Sequence, residues 1–171
     1  MRFISVPQLT GIFYPQIIKS FPTAKGKLFF TFDDGPDPEV TPNVLEILKQ
    51  YKAKATFFCI GENVEKNIEK TEKTINSHIF RPPYGKLKPS QYYIIKKKYK
   101  IILWDVMSYD FDQSLTAEQC AQIVIKNARD GSILVFHDTQ KAKERLLLVL
   151  PKLLEYYIEK GYQFDKIDVL K

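Results

Sequence analysis

Four places in the chain put groups that can take, give or stabilise charge directly behind apolar runs. "TFDDGP" carries Asp33 and Asp34 ahead of Gly35-Pro36, and "IFRPPYG" carries Arg81 ahead of two prolines and Tyr84. "IILWDVMSYDF" carries Asp105, Ser108 and Asp110, and "SILVFHD" carries His137 and Asp138. Two adjacent carboxylates resist being ionised together in a dry pocket unless a cation neutralises them; the candidates are a metal, Arg81, or both. One acid can then hold a metal while the other takes a proton from water. His137 can protonate a leaving group at neutral pH provided a carboxylate holds its ring, and Asp110 is the candidate holder. The rigid turn through Pro83 and Tyr84 can aim a backbone N–H at a developing oxyanion. Taken singly, each group has a plainer reading: a solvated turn, a loop, a histidine at a strand end. Their recurrence behind four apolar runs is what argues for a site.

The elements that must position these groups alternate short apolar runs with amphipathic helical patterns. Strands are expected at 27–32, 55–60, "IFRPP", 101–106, 132–138 and near "YQFDKIDV"; helices at 88–99, 115–129 and along "AKERLLLVLPKLLEYYIEKG", where Pro151 must kink the helix or begin its second half. In "TPNVLEILKQY" Thr41 offers an N-cap, Pro42 suits the first helical position, and Val44, Leu45 and Leu48 form the inner face. Val64, Ile68, Thr71 and Ile75 repeat at helical spacing, which predicts one amphipathic helix over 62–76. Nearly apolar strands, each followed by a helix, predict an α/β fold with a parallel sheet, whose functional groups gather at the carboxyl ends of the strands. No linker divides the chain, so 27–171 reads as one domain and 1–26 as an N-terminal extension packing on it.

Composition narrows the function class. The net charge of +6 over 171 residues admits an anionic partner, although a lysine-rich solvated surface is the better account of it. Lys96, Lys97, Lys98 and Lys100 in "IIKKKYK" crowd a helix end, where the dipole favours cations, and no nucleic-acid motif accompanies them. No nucleic acid is therefore expected as a partner. Cys59 and Cys120 read as core thiols. No run reaches the roughly 18 apolar residues of a spanning helix, and the N-terminus makes a poor signal peptide. The expected location is the cytoplasm or the periphery of the cell envelope. Tyr84, Tyr109 and Phe111 could offer flat rings to a sugar, whereas Trp104 reads as core.

"TFDDGP" (31–36), "ATFF" with "IGEN" (55–63), "RPPYG" (81–85), "WDVMSYDF" (104–111) and "ILVFHD" (133–138) resemble the ordered motifs of the polysaccharide deacetylases. The resemblance runs from about residue 27 to the C-terminus. It implies a distorted (β/α) barrel and a hydrolase acting on carbon–nitrogen bonds that removes N- or O-acetyl groups from a glycan by metal-assisted water attack. It further implies Asp33 as catalytic base, Asp34 as ligand of zinc or a similar divalent metal, and Arg81 as orienter of the base. The Tyr84 backbone, beside Pro83, would face the oxyanion, and His137 would be the acid, tuned by Asp110. Val135, with Tyr109 and Phe111, would line the substrate side. An acetylated glycan would be the partner. The family's second motif, a His-x-x-x-His pair that supplies two metal ligands, is missing: the chain has two histidines, His78 and His137. The resemblance therefore predicts a barrel lacking one βα unit, impaired metal-dependent activity and, as the alternative function, a catalytically inactive glycan-binding relative. Strand alternation turns His78 away from Arg81, so it reads as structural or surface-exposed. Met107 stands where many relatives carry an acid, and Phe111 where many carry tryptophan.

Overall fold

The computed structural model describes residues 14–59 and 78–168. Its centre is strand β2 (Lys27–Asp33), in which every residue from Leu28 to Phe32 is buried. A strand covered on both faces can be apolar throughout, and this one is aromatic and β-branched, which suits a pleated surface. Parallel neighbours flank it: β3 (Ala55–Phe58) on one side and β7 (Ile133–His137) on the other, with β6 (Val106–Met107) beyond β7. A short C-terminal strand, β8 (Gln163–Phe164), pairs with the start of β2. A second parallel sheet runs β1 (Ile17–Ile18), β5 (Lys100–Ile102), β4 (Ile79–Phe80). The described strands thus form two parallel sheets rather than a closed barrel, an arrangement compatible with a distorted or incomplete (β/α) barrel.

Alternation along β2 sorts two cores. Phe30 and Phe32 join Val44, Leu48, Leu146 and Leu150 beneath the helices α1 (Val40–Gln50), α3 (Ala117–Asn127) and α4 (Lys143–Glu159). Phe29 turns the other way, to Ile102, Leu103, Trp104, Ile133 and Val135 between the sheets. Thr31 and Asp33 share that inner parity, so the strand aims its carboxylate into the space between the sheets. Helix α2 (Pro89–Ile95) buries Tyr92 and Ile95 against Tyr99 and Ile101.

Several local expectations need correction. Helix α1 starts one residue before Thr41, because Asp37 caps it: its Oδ1 accepts from the amides of Glu39 and Val40, both at 2.9 Å. The Thr41 hydroxyl instead accepts from the Asp37 amide at 2.8 Å. Leu45 is 51% exposed and lines a hollow of about 130 Å³ with Phe57 and Cys59, so the inner face of α1 is Val40, Val44 and Leu48. Of the two thiols Cys120 is buried and Cys59 is exposed. The single strand expected over 101–106 is two, β5 and β6, parted by Leu103–Asp105. Helix α4 runs unbroken through Pro151. The helix expected over 62–76 lies outside the described residues.

Candidate active site

Asp33 ends β2, and the parallel register sets it opposite Phe58 on one side and His137 on the other. Strands about 4.8 Å apart hold such neighbours side by side. Arg81, just past β4 in the other sheet, reaches across the inner space to the acid. Its Nη1 donates to Asp33 Oδ1 at 2.5 Å and to Thr31 Oγ1 at 2.8 Å. Its Nε donates to the Ile102 carbonyl at 3.3 Å and its Nη2 to the Leu103 carbonyl at 3.1 Å. The guanidinium lies 4.1 Å from the centre of the Phe58 ring and 5.7 Å from that of Trp104. One buried cation therefore fixes the acid and fastens the ends of both sheets.

His137 ends β7. Its Nδ1 lies 2.8 Å from Asp110 Oδ1, and its amide donates to Asp110 Oδ2 at 2.8 Å. Ser108 Oγ donates to the same carboxylate at 2.9 Å, and Arg145 Nε donates to the Asp110 carbonyl at 2.6 Å. With Asp110 holding Nδ1, the Nε2 edge is left for a reacting group. Burial, the largest influence on His137, favours the neutral ring, but the bond and charge of Asp110, with Asp33 and Asp34 behind them, outweigh it and raise its proton affinity above the ordinary histidine value. Burial likewise raises the Asp33 carboxyl above the ordinary carboxylate range, against the pull of Arg81 and His137. A base and an acid with raised affinities thus stand on adjoining strand ends.

The other expected site residues surround this pair. Asp34 is exposed at the rim with φ 73°. Tyr84, at φ 56°, is 92% exposed beside exposed Pro83, and its turn is closed by bonds from the Gly85 amide to the Pro82 carbonyl and from the Lys86 amide to the Pro83 carbonyl. The Tyr84 amide takes no part in those two bonds. The turn rests on Trp104: a Cβ at Gly85 would come 2.9 Å from the indole. Val135 is buried beneath the site, Tyr109 is buried with φ 59°, and half-buried Phe111 sets its ring edge-on to His137 at 4.7 Å. Among the described residues four non-glycines have positive φ, and three of them, Asp34, Tyr84 and Tyr109, lie here. Backbone held in such costly regions tends to collect at functional sites. Asp105 does not join the group. Its carboxylate binds the Ile133 amide and the Ser132 hydroxyl, both at 2.8 Å, at the opposite end of β7. His78 is exposed at the start of β4, away from the strand ends where the site collects.

Thr31 lay outside the sequence reading, and Asp138 was read there only as a strand-end acid without a partner. Thr31 shares Arg81 with Asp33, and its place two residues before the acid on one strand face was the available signal. Asp138 is buried, accepts from Thr41 Oγ1 at 2.5 Å, and occupies the space that a side chain at Gly35 would need. Its own amide donates to the Asp33 carbonyl at 3.3 Å. Gly35 is required by this approach: an added Cβ would stand 2.1 Å from Asp138 Oδ2. Gly35→Ala should cost about 1–3 kcal/mol of stability by overpacking. Adding Asp138→Ala should return part of that loss. Urea midpoints of the two variants check it, and an unchanged midpoint for Gly35→Ala would refute the contact.

Residues 21–77 match the family model described as Polysaccharide deacetylase. The chain is 30% identical to a peptidoglycan-N-acetylglucosamine deacetylase of Bacillus cereus, over 82% of this chain and 85% of that protein. The chain belongs to the polysaccharide deacetylase family. A second Bacillus cereus peptidoglycan-N-acetylglucosamine deacetylase is 29% identical over 78% of this chain, which spans 66% of its length. A crystal structure of a peptidoglycan N-acetylglucosamine deacetylase superposes with a TM-score of 0.82 at 27% identity, covering 95% of each chain. Polysaccharide deacetylases are hydrolases of acetylated glycans and generally use a divalent metal ion. The alignment with the 30% relative runs over 182 positions but takes in 82% of the 171 residues here, about 140, so some 40 positions of that deacetylase have no counterpart in this chain.

The described donors near Asp34 do not fit the family's metal. Among the described residues no three His, Cys, Asp or Glu side chains converge. A catalytic zinc takes about three protein ligands. His137 has its Nδ1 committed to Asp110, and His78 lies away from the rim.

Proposed function

We propose that this polysaccharide deacetylase hydrolyses the acetamide of an N-acetylglucosamine unit in a glycan. Asp33 takes a proton from a water whose oxygen attacks the acetyl carbonyl carbon. The Tyr84 amide faces the oxygen that becomes negative. As the carbon–nitrogen bond breaks, His137 gives its proton to the departing nitrogen, leaving acetate and a free amine. Arg81 holds Asp33 in place, Asp110 raises the proton affinity of His137, and Val135, Tyr109 and Phe111 bound the space for the acetyl methyl. The observation that carries this reading is the juxtaposition of Asp33, fixed by Arg81, with His137, fixed by Asp110, on adjoining parallel strands. A base and an acid of raised affinity suit proton transfer near neutral pH.

The two-histidine composition favours a second reading, a deacetylase relative that holds an acetylated glycan without hydrolysing it. Acetate release and binding of an N-acetylated chito-oligomer, measured with wild type and Asp33→Asn, separate the two. Release by wild type that Asp33→Asn loses is the expected result; saturable binding with no release by either protein selects the second reading. Calorimetric titration with Zn²⁺ or Co²⁺ should give no micromolar site.

A further inference from the structure

Helix α2 presents a face that the deacetylase reading leaves unused. Tyr93 and Ile94 are 56% and 66% exposed, while their neighbours Tyr92 and Ile95 face inward. The Lys96 ammonium lies 5.0 Å from the Tyr92 ring centre and 4.6 Å from that of Tyr93. Lys97 follows one turn after Tyr93 and Ile94, Lys86 and Lys88 precede the helix, and Lys100 follows it; all four are exposed. From residue 73 to residue 104 the sequence contains no Asp or Glu. Elsewhere lysines sit beside acids: Lys27 and Lys54 with Asp165, Lys143 with Glu39, Lys152 with Glu118. Among the described residues no carboxylate stands within ion-pair distance of Lys86, Lys88, Lys97 or Lys100.

We propose that this face of α2 docks on an anionic lipid surface, with Ile94 entering the acyl boundary, Tyr93 at headgroup level and the lysines on the phosphates. A soluble polyanion would satisfy the lysines but would gain nothing from Ile94, and one face of the Tyr93 ring is already covered by Lys96, which leaves it poorly placed for a sugar. An apolar centre with a cationic surround is the pattern of interfacial membrane contact. Lysine stems can lie along apolar surface while their charges stay in water. Tyr14 packs on Tyr92 from the inner side, with ring centres 4.6 Å apart, which steadies the helix that carries the face. Helix α2 is about 10 Å long, so the contact is shallow and reversible.

Co-sedimentation of the full chain with vesicles tests this without reference to activity. Wild type should pellet with equimolar phosphatidylglycerol and phosphatidylcholine, less so as salt rises, and should stay in solution with phosphatidylcholine alone. Ile94→Ser should weaken partitioning about fivefold, and Lys96→Gln with Lys97→Gln about tenfold or more. Lys152→Gln, which removes a charge elsewhere, should bind as wild type. Equal binding to neutral vesicles, equal weakening by Lys152→Gln, or no vesicle binding overturns the proposal. Heparin capture that Ile94→Ser leaves unchanged, with no vesicle binding, assigns the lysines to a soluble polymer and likewise overturns it.

Discussion

Replacing Arg81 with leucine should lower the free energy of unfolding by about 3–5 kcal/mol, the usual cost of stranding one partner of a buried ion pair. At the size of this domain that is a fall of roughly 6–20 °C in melting temperature. Three effects act together. Asp33 loses its cation in a buried setting, Thr31 loses a hydrogen-bond partner, and the carbonyls of Ile102 and Leu103 lose the donors that join the sheet of β4 and β5 to the end of β2. The first can be isolated. Asp33→Asn in the Arg81→Leu background removes the stranded charge and should recover part of the loss; the remainder belongs to the carbonyls and Thr31. Acid should do the same, because an unpaired buried Asp33 binds its proton more tightly when folded, so the variant gains stability as pH falls. A loss under about 1 kcal/mol in thermal or urea unfolding would mean that Arg81 does not join the sheets.

Asp110→Asn should reverse the sign of the coupling between folding and His137 protonation. Burial, the largest single influence, favours the neutral ring, and the bond and charge of Asp110 lead the groups that overcome it, ahead of Asp33 and Asp34. With asparagine in its place, burial prevails and the folded value falls below that of the unfolded chain. In wild type the raised folded affinity contributes stability that is fully present below about pH 6.5, the unfolded histidine value, and is lost as pH rises through the folded value. In Asp110→Asn the contribution is instead lost as pH falls below about 6.5. The lost charge-assisted bonds should also cost about 1.5–3 kcal/mol near neutral pH. The chain has two histidines, His78 and His137, so NMR of the His137 ring protons against pH assigns the change directly. A His137 titration that stays above the ordinary histidine value in Asp110→Asn would show that Asp110 does not set its charge. If the proposed hydrolysis holds, the alkaline limb of the rate profile moves to lower pH in the same variant.

The strand-end acids, Arg81 and His137 were legible in the sequence because a parallel strand covered on both faces is apolar throughout, and polarity at its end stands out. The pairing of His137 with Asp110 was legible for a related reason: an imidazole at a strand end needs a carboxylate, and Asp110 was the acid proposed for it. Asp105 misled because it also follows an apolar run. The chain leaves β5 at Ile102 and spends Asp105 on the Ile133 amide before β6 begins, so its carboxylate points to the far end of the sheet. The start of α1 was misplaced because two capping residues compete there, and Asp37 reaches the Glu39 and Val40 amides first. The bond that Thr41 gives Asp138 could not be read, since the two are 97 residues apart. The close approach at Gly35 is equally non-local, because glycine in "DDGP" reads as an ordinary turn residue.

The family match begins at residue 21, whereas strand β1 occupies Ile17–Ile18 and lies along β5, with the Leu103 amide bonded to the Ile18 carbonyl. Beyond it, the Phe21 amide donates to the Gly131 carbonyl. A recombinant fragment cut at the homology boundary would therefore uncover a row of amides and carbonyls beside Ile101 and Ile102, and a bare parallel edge invites another copy to lie against it. Where the N-terminus is trimmed thus governs whether the purified protein stays monodisperse.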